Sequence, residues 1–149
     1  MLKRVSQGHQ FRLITPLVDI YNSISIEYAV PLGGEDLDKI QGDLRLGKAK
    51  GGESFFPLGA EEDAPALEGE ICHFDNEGAV CRCLNWREAK RTMLQEETTN
   101  AVLVMESVTK DQAERATVAM EALKKRCEEY FNVTGISYIV TPQNSEVEL

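Results

Sequence analysis

The chain of 149 residues is poor in basic residues and lacks several patterns that would assign it to a functional class. It contains 16 Lys and Arg against 25 Asp and Glu, a formal net charge of −9. Broad nucleic-acid affinity depends on neutralising phosphates with Lys and Arg, so this composition argues against a general RNA-binding protein. No apolar run approaches the ~20 residues of a membrane-spanning helix, and residues 1–9 lack the apolar core of a signal peptide. We therefore expect a cytoplasmic protein that does not enter a membrane.

The cysteines and histidines do not form a recognisable metal or nucleophile motif. Cys81 and Cys83 are separated by one residue, whereas zinc knuckles use about two to four, and no second cysteine pair completes a site. The serines have no histidine partner in a recognisable motif. His73 is interpreted as a strand histidine near Glu70 whose polar groups are satisfied within the fold. We expect no metal, no organic cofactor and no dedicated nucleophile.

Two helices are predicted, a short one near the N terminus and a long one near the C terminus. Thr15 and Pro16 are typical of a helix start, and Pro31 forces the end of that helix. Thr109 is predicted to cap the second helix, with Gln112 at the reciprocal position. Apolar residues repeat at spacings of three and four along both segments. With the strands described next, they predict an α+β fold in a single domain, in which a mixed β-sheet packs against both helices.

The predicted strands lie between and after these helices. Residues 68–84 alternate like a hairpin around a turn in which Gly78 would supply a positive φ. Residues 101–108 are almost wholly apolar, which predicts a central strand. Weaker patterns predict short strands in residues 37–46 with a break near Gly42, a last strand over residues 136–140, and a long functional loop or lid over residues 48–65.

Five blocks of sequence carry a family resemblance. They are Leu17–Ser25, Pro31–Asp38, Leu67–Ile71, Cys83–Arg87 and Glu97–Asn100. In this order they resemble the B3/B4 editing module of the phenylalanyl-tRNA synthetase beta subunit, and still more the free-standing proteins built on that module. The resemblance implies the B3/B4 fold. Free-standing members usually carry more sequence before the matching helix, which is consistent with a chain truncated at its N terminus.

The resemblance also implies an activity. In the synthetase, this module hydrolyses a wrong amino acid, tyrosine, from the 3′-terminal adenosine of tRNA. We therefore expect a deacylase that acts in trans on mischarged tRNA and binds its aminoacylated 3′ end. Aminoacyl esters are reactive, so a positioned water and an oxyanion donor could supply most of the rate. The alternatives are a non-catalytic module that holds a tRNA end or an amino acid, and an inactive remnant of the family.

The resemblance places the pocket on the first helix, on a glycine-rich turn, and at an acid on the strand after the Glu-Thr motif. Asn22 stands where the family has an asparagine, and Gly33 stands where it has a histidine. The acid is ambiguous, because Glu106 is the only carboxylate of its strand while an ungapped count lands on Val104; both share one face. The predicted catalytic groups are Asn22, Glu106, Gly33 and Gly34. For Asn22, the alternative is a buried asparagine that satisfies backbone groups.

The predicted substrate contacts lie on the first helix and in a short basic stretch. They are Tyr21, which stands at a family threonine position, Asp19, Trp86, Arg87 and Arg91. An indole can stack on the terminal adenine, and a guanidinium can contact phosphate. Residues 82–91 hold four cations against Glu88 alone, which predicts a small basic patch. The alternatives are a helix-dipole role for Asp19, partial burial for the tryptophan, and solvated surface positions for the arginines.

Overall fold

The computed structural model describes residues 5–10 and 12–149, and within them two helices flank six strands. The elements are α1 Pro16–Tyr28, β1 Gly33–Asp36, a 3-10 helix Leu37–Lys39, β2 Arg45–Lys48, β3 Ile71–Phe74, β4 Ala79–Arg82, β5 Arg87–Glu88, β6 Ala101–Val104 and α2 Lys110–Phe131. β1 pairs with β6, and β2, β3, β4 and β5 form a four-stranded sheet in that order. All pairings among these strands are antiparallel. The α+β prediction is confirmed, but two antiparallel sheets replace the expected mixed sheet.

The boundaries of α1 follow from the local sequence as predicted. The Oγ1 atom of Thr15 accepts a hydrogen bond from the Val18 N–H, and Pro16 occupies the first turn. Ala29 adopts a left-handed conformation with φ 52°, and its N–H donates to the Ser25 carbonyl. This closes the helix two residues before Pro31, which cannot continue it.

The first core lies between the two helices and the β1–β6 pair. Its buried members are Ile24, Val30, Leu32, Ala119, Leu123 and Cys127. α2 begins at the predicted cap, because the Oγ1 atom of Thr109 accepts from the Gln112 N–H. The side chain of Gln112 reaches back to the Val108 N–H at 3.0 Å, which satisfies a second free donor at this terminus.

The predicted hairpin is present as β3 and β4, but Gly78 does not have the backbone conformation that was expected. Its φ is not among the positive values of the chain. A Cβ atom at this position would press against the backbone carbonyl oxygen of Ser54, so the glycine permits close backbone approach. The expected long loop over residues 48–65 is present from residue 49 onward, since Lys48 ends β2, and it is fixed to the sheet. Its Phe55 is 1% exposed in the second core, beneath the four-stranded sheet.

Three other strand predictions differ from the structure. β6 pairs only with β1 and is therefore not central. In residues 37–46, the 3-10 helix takes the place of the first expected short strand, and β2 is the second. Gly42, with φ 75°, lies between these two elements. Residues 136–140 form no strand, and Ile136 is 79% exposed. Apolar β-prone residues form a strand only where a partner edge is available, and no described strand pairs with this segment.

Within the described residues, neither helix has the length and apolar character needed to cross a bilayer.

Candidate functional site

A small cavity lies where the two sheets meet, and its lining is rich in ionisable side chains. The polar lining residues are Glu35 from β1, His73 from β3, Asn85 from the β4–β5 turn, Glu88 from β5 and Glu106 just after β6. Gly33, Gly34 and Val104 also line it. The cavity volume is about 20 Å³, which suffices for about one or two water-sized groups.

Glu106 is held at the cavity by two side chains from the other sheet. Its Oε1 atom lies 3.0 Å from Nε2 of His73, and its Oε2 atom accepts a longer contact of 3.4 Å from Nδ2 of Asn85. An ionised Glu106 can only accept in this contact, which requires the tautomer of His73 that carries a proton on Nε2. The side chains of His73 and Glu106 are 10% and 11% exposed. The arrangement fixes a carboxylate at a water-sized space.

A second pair of carboxyl groups, Glu35 and Glu88, lines the same cavity. Burial and the neighbouring Glu88 raise the pKa of Glu35 far above its ordinary value. Two carboxylates that share a dry site cannot both ionise easily, so this pair retains a proton at neutral pH. The Oε2 atoms of both glutamates are buried, and Glu35 has the Glu88 carboxyl and the Thr92 hydroxyl as side-chain hydrogen-bond partners.

The predicted residue Tyr21 approaches the site from α1. A Cβ atom at Gly34 would lie 3.5 Å from Cε1 of Tyr21, so the ring packs against the first strand. Burial, followed by the charges of Glu88, Glu35 and Asp19, raises the pKa of Tyr21 to about 12. Asp19 accepts a hydrogen bond from the Ile14 N–H at 3.0 Å. That contact fits the structural alternative for Asp19, namely support of the helix N terminus.

Asn22 does not line this cavity. It is half-buried on α1, beside Tyr21, and the part of α1 around Ile24 packs into the first core. The expected placement of Asn22 in one wall with Glu106 and the glycines is therefore not observed. Residues 21 and 22 point about 100° apart around the helix axis, so Tyr21 packs against β1 while Asn22 does not line the cavity.

The two predicted glycines lie in strand β1, where a turn was expected. A Cβ atom at Gly33 would meet Oε1 of Glu88 at 2.8 Å, so the carboxylate of Glu88 occupies the space that a side chain at position 33 would fill. This explains how the chain accommodates glycine where the family resemblance has histidine. At Gly34, a Cβ atom would clash with Leu94 and Leu103. Close packing against two leucines therefore leaves little room for a side chain at Gly34, whereas a side chain at Gly33 would have to displace the carboxylate of Glu88.

The turn between β4 and β5 carries the predicted aromatic contact. Cys83 and Leu84 both adopt positive φ, 52° and 66°, a conformation that L residues rarely hold without a structural reason. The turn directs Asn85 to the cavity and leaves Trp86 66% exposed. The guanidinium of Arg87 lies 4.1 Å from the centre of the Trp86 ring. An exposed cation–aromatic pair therefore lies next to the cavity lining.

The predicted basic patch is largely neutralised by acids. Arg82 binds Glu70 at 2.6 Å, and Lys90 lies 3.2 Å from Glu61. Arg91 donates to both carboxylate oxygens of the buried Asp75 and to the Lys39 carbonyl. Arg91 is thus part of an internal network and is not presented to a phosphate. Of the four cations in the patch, Arg87 alone forms no ion pair with an acid of the described residues.

Comparison with known protein families gives a match that covers most of the chain. The model of the B3/4 domain family matches residues 1–136. The chain belongs to the B3/4 domain family. The match includes both helices, both sheets and every residue of the cavity, so the resemblance seen in the sequence blocks is confirmed. No curated protein sequence matches the chain.

Several residues that line the cavity were not predicted from the sequence to be functional. His73 was interpreted as a satisfied strand histidine near Glu70; the structure confirms its place in a strand but pairs it with Glu106, 33 positions away. Glu35 and Asn85 both fall within the blocks that carry the resemblance, which was the available signal. Within the described residues, no group of three or more His, Cys, Asp or Glu side chains is arranged to hold a metal ion.

Proposed function

We propose that this B3/4 domain is a trans-acting deacylase that hydrolyses the ester of mischarged aminoacyl-tRNA. The observation that carries the proposal is the carboxylate of Glu106, fixed by His73 and Asn85 at a cavity with room for about one or two water-sized groups. A carboxylate that is oriented but not fully paired can accept a proton from a bound water. Membership of the B3/4 family supports the choice of a tRNA-borne ester as substrate.

The reaction requires no covalent intermediate. The water oxygen bonds to the ester carbonyl carbon while Glu106 accepts one water proton, and His73 keeps the carboxylate in place. The bond between the carbonyl carbon and the ribose oxygen then breaks, and the proton passes to that ribose oxygen. The products are the free amino acid and uncharged tRNA. We propose that the backbone at Gly33 and Gly34, on the same cavity wall, supplies the oxyanion donors.

The tRNA end is proposed to lie over the β4–β5 turn. Trp86 would stack on the terminal adenine and Arg87 would contact a nearby phosphate. Since Asn85 of the same turn lines the cavity, an adenosine on Trp86 would place its ester close to Glu106. The acidic net charge and the neutralised patch restrict phosphate contact to this small area, as expected for a protein that grips only the end of a tRNA.

One observation favours a second candidate, the non-catalytic binding module. The cavity volume of about 20 Å³ admits a water-sized group but not the side chain of a large amino acid, so a large side chain must remain at the mouth. A binding module and a deacylase change the rate of ester hydrolysis in opposite directions. A binder protects aminoacyl-tRNA from spontaneous hydrolysis, whereas a deacylase accelerates its loss.

The test is a panel of tRNAs, each charged with a cognate or near-cognate amino acid. The deacylase proposal predicts that at least one ester is lost faster with protein than in buffer, and that Glu106→Gln slows this loss by at least about 100-fold. Asn22→Ala should reduce the rate less, because Asn22 lies outside the cavity. Exposed Glu62→Gln is the matched control. Protection of every ester would support the binding module and reject the deacylase.

A further inference from the structure

The turn between β4 and β5 contains two residues in an unfavourable backbone conformation. Cys83 and Leu84 are both left-handed, with φ 52° and 66°, and neither is a glycine. L residues keep this conformation only where the surrounding structure holds them in it. The turn also carries two groups of the candidate site, Asn85 at the cavity and the exposed Trp86. Whatever fixes the turn therefore determines where both groups lie.

One side chain, that of Glu70, binds the first left-handed residue. Glu70 lies just before β3, and its side chain is 10% exposed. Its Oε1 atom accepts hydrogen bonds from the N–H of Cys83 at 2.9 Å and from the thiol of the same residue at 3.3 Å. The next amide along the turn, that of Leu84, donates to the Ile71 carbonyl at 2.8 Å. The start of β3 and the residue before it thus hold both left-handed residues.

The carboxylate of Glu70 is itself fixed from two other directions. Arg82, the last residue of β4, donates to both of its oxygens, with a shortest distance of 2.6 Å. The Leu67 N–H donates to Oε2 at 3.1 Å. Arg82 also donates to the Ala64 carbonyl and lies over the ring of the buried Phe55. The arginine, above all, lowers the pKa of Glu70 well below its ordinary value, so the turn is held by an ionised carboxylate whose own position is fixed.

We propose that Glu70, which does not line the cavity, is a positioning residue of the candidate site. By holding the Cys83 N–H, it keeps the β4–β5 turn in one conformation. That conformation brings Asn85 to within 3.4 Å of Glu106 and leaves Trp86 exposed. The part of this inference that concerns catalysis rests on the proposed function. The part that concerns the shape of the turn does not, and it can be tested without a substrate.

Trp86 is the only tryptophan of the chain, so its fluorescence reports on the turn directly. Time-resolved anisotropy should show that the indole of the wild-type protein moves mainly with the whole domain. In Glu70→Ala the indole should gain fast local motion, and Glu70→Gln should lie between the two, because its amide oxygen can still accept from the Cys83 N–H. Asp75→Asn is the matched control, since Asp75 also binds an arginine and backbone N–H groups but supports the turn between β3 and β4.

The control separates positioning from general stability. Both ion pairs contribute to the fold, so Glu70→Ala and Asp75→Asn should both lower the urea midpoint, but only the Glu70 variants should change the anisotropy. Equal changes of anisotropy in Asp75→Asn, or no change in folded Glu70→Ala, would overturn the inference. Fast local motion of the indole in the wild-type protein would also overturn it, and that measurement needs no variant to fold.

A kinetic arm tests the catalytic part on the ester that responds best in the tRNA panel. Glu70→Ala should lower kcat by about tenfold or more, because a displacement of about 1 Å in a site can cost about 100-fold, and should raise KM through the displaced Trp86. In an Asn85→Ala background, the same change should have little further effect on kcat, since the group through which Glu70 acts is already gone. Equal reductions in both backgrounds would reject the catalytic part. If no ester is hydrolysed, the deacylase proposal fails, whereas the anisotropy result still decides whether Glu70 holds the turn.

Discussion

Replacing Glu35 by glutamine should remove a large pH dependence of the stability of this protein. Burial beside Glu88 raises the pKa of Glu35 far above the ordinary value of 4.5. Between these two pKa values the native state holds a proton that the unfolded chain has released. Unfolding therefore liberates one proton, and the free energy of unfolding falls by up to about 1.4 kcal/mol for each unit of rising pH.

The magnitude is large on the scale of domain stability. From pH 6 to pH 8 the wild-type protein should lose up to about 3 kcal/mol from this group, against a typical total of about 5–15 kcal/mol. Glu70 and Asp75 have lowered pKa values because Arg82 and Arg91, respectively, donate to them. Their contribution is present at neutral pH and is lost only as the pH falls below about 4. They do not interfere in this window.

The assay is urea unfolding at pH 6, 7 and 8 for the wild-type protein, Glu35→Gln and the exposed control Glu62→Gln. As the pH rises, the free energy of unfolding of Glu35→Gln should increase relative to that of the wild-type protein. The control should keep the wild-type slope. Parallel curves for wild type and Glu35→Gln would refute the argument, because they would show that Glu35 ionises alike in the folded and unfolded chains.

Two further predictions concern the substrate surface and the hairpin. Trp86→Ala should raise KM for aminoacyl-tRNA about tenfold, since base stacking contributes about 1–3 kcal/mol, and should leave stability nearly unchanged. Tyr130→Ala, an equally exposed aromatic change on α2, is the control in the steady-state assay. Equal KM values for Trp86→Ala and wild type would show that Trp86 is not part of the site. Gly78→Ala should lower the free energy of unfolding by about 1–3 kcal/mol, because the Cβ of the alanine would press on the Ser54 carbonyl. Gly47→Ala, whose Cβ would make only ordinary contacts, should change the free energy of unfolding little. Equal losses for the two variants in chemical denaturation would contradict this explanation.

The parts of the fold that sequence predicts well are those fixed by local chemistry. Thr15 with Pro16, and Thr109, cap their helices through bonds to residues three positions away. The β3–β4 hairpin likewise depends on neighbours in the chain. The predictions for residues 136–140 and for the position of β6 were wrong for the opposite reason. An apolar, β-prone segment can form a strand, but the rest of the fold decides whether a strand edge or a core position is available to it.

The candidate site also has parts that the sequence predicts and parts that it does not. The family resemblance brought Gly33, Gly34 and Glu106 into consideration, and the structure places them around one cavity. The pairing of His73 with Glu106, and of Glu35 with Glu88, joins residues 33 and 53 positions apart. Such pairs cannot be read from spacing along a strand. The basic patch was also misjudged, because the acids that neutralise it lie elsewhere in the sequence.

The most direct test of the account is a single-turnover measurement of ester loss from the mischarged tRNA that responds best in the panel. The wild-type protein should accelerate hydrolysis well above the buffer rate, and Glu106→Gln should return it close to that rate while still binding the tRNA. Acceleration that survives unchanged in Glu106→Gln would contradict the assignment of the attacking water to this carboxylate, and no acceleration by the wild type would contradict the enzyme itself.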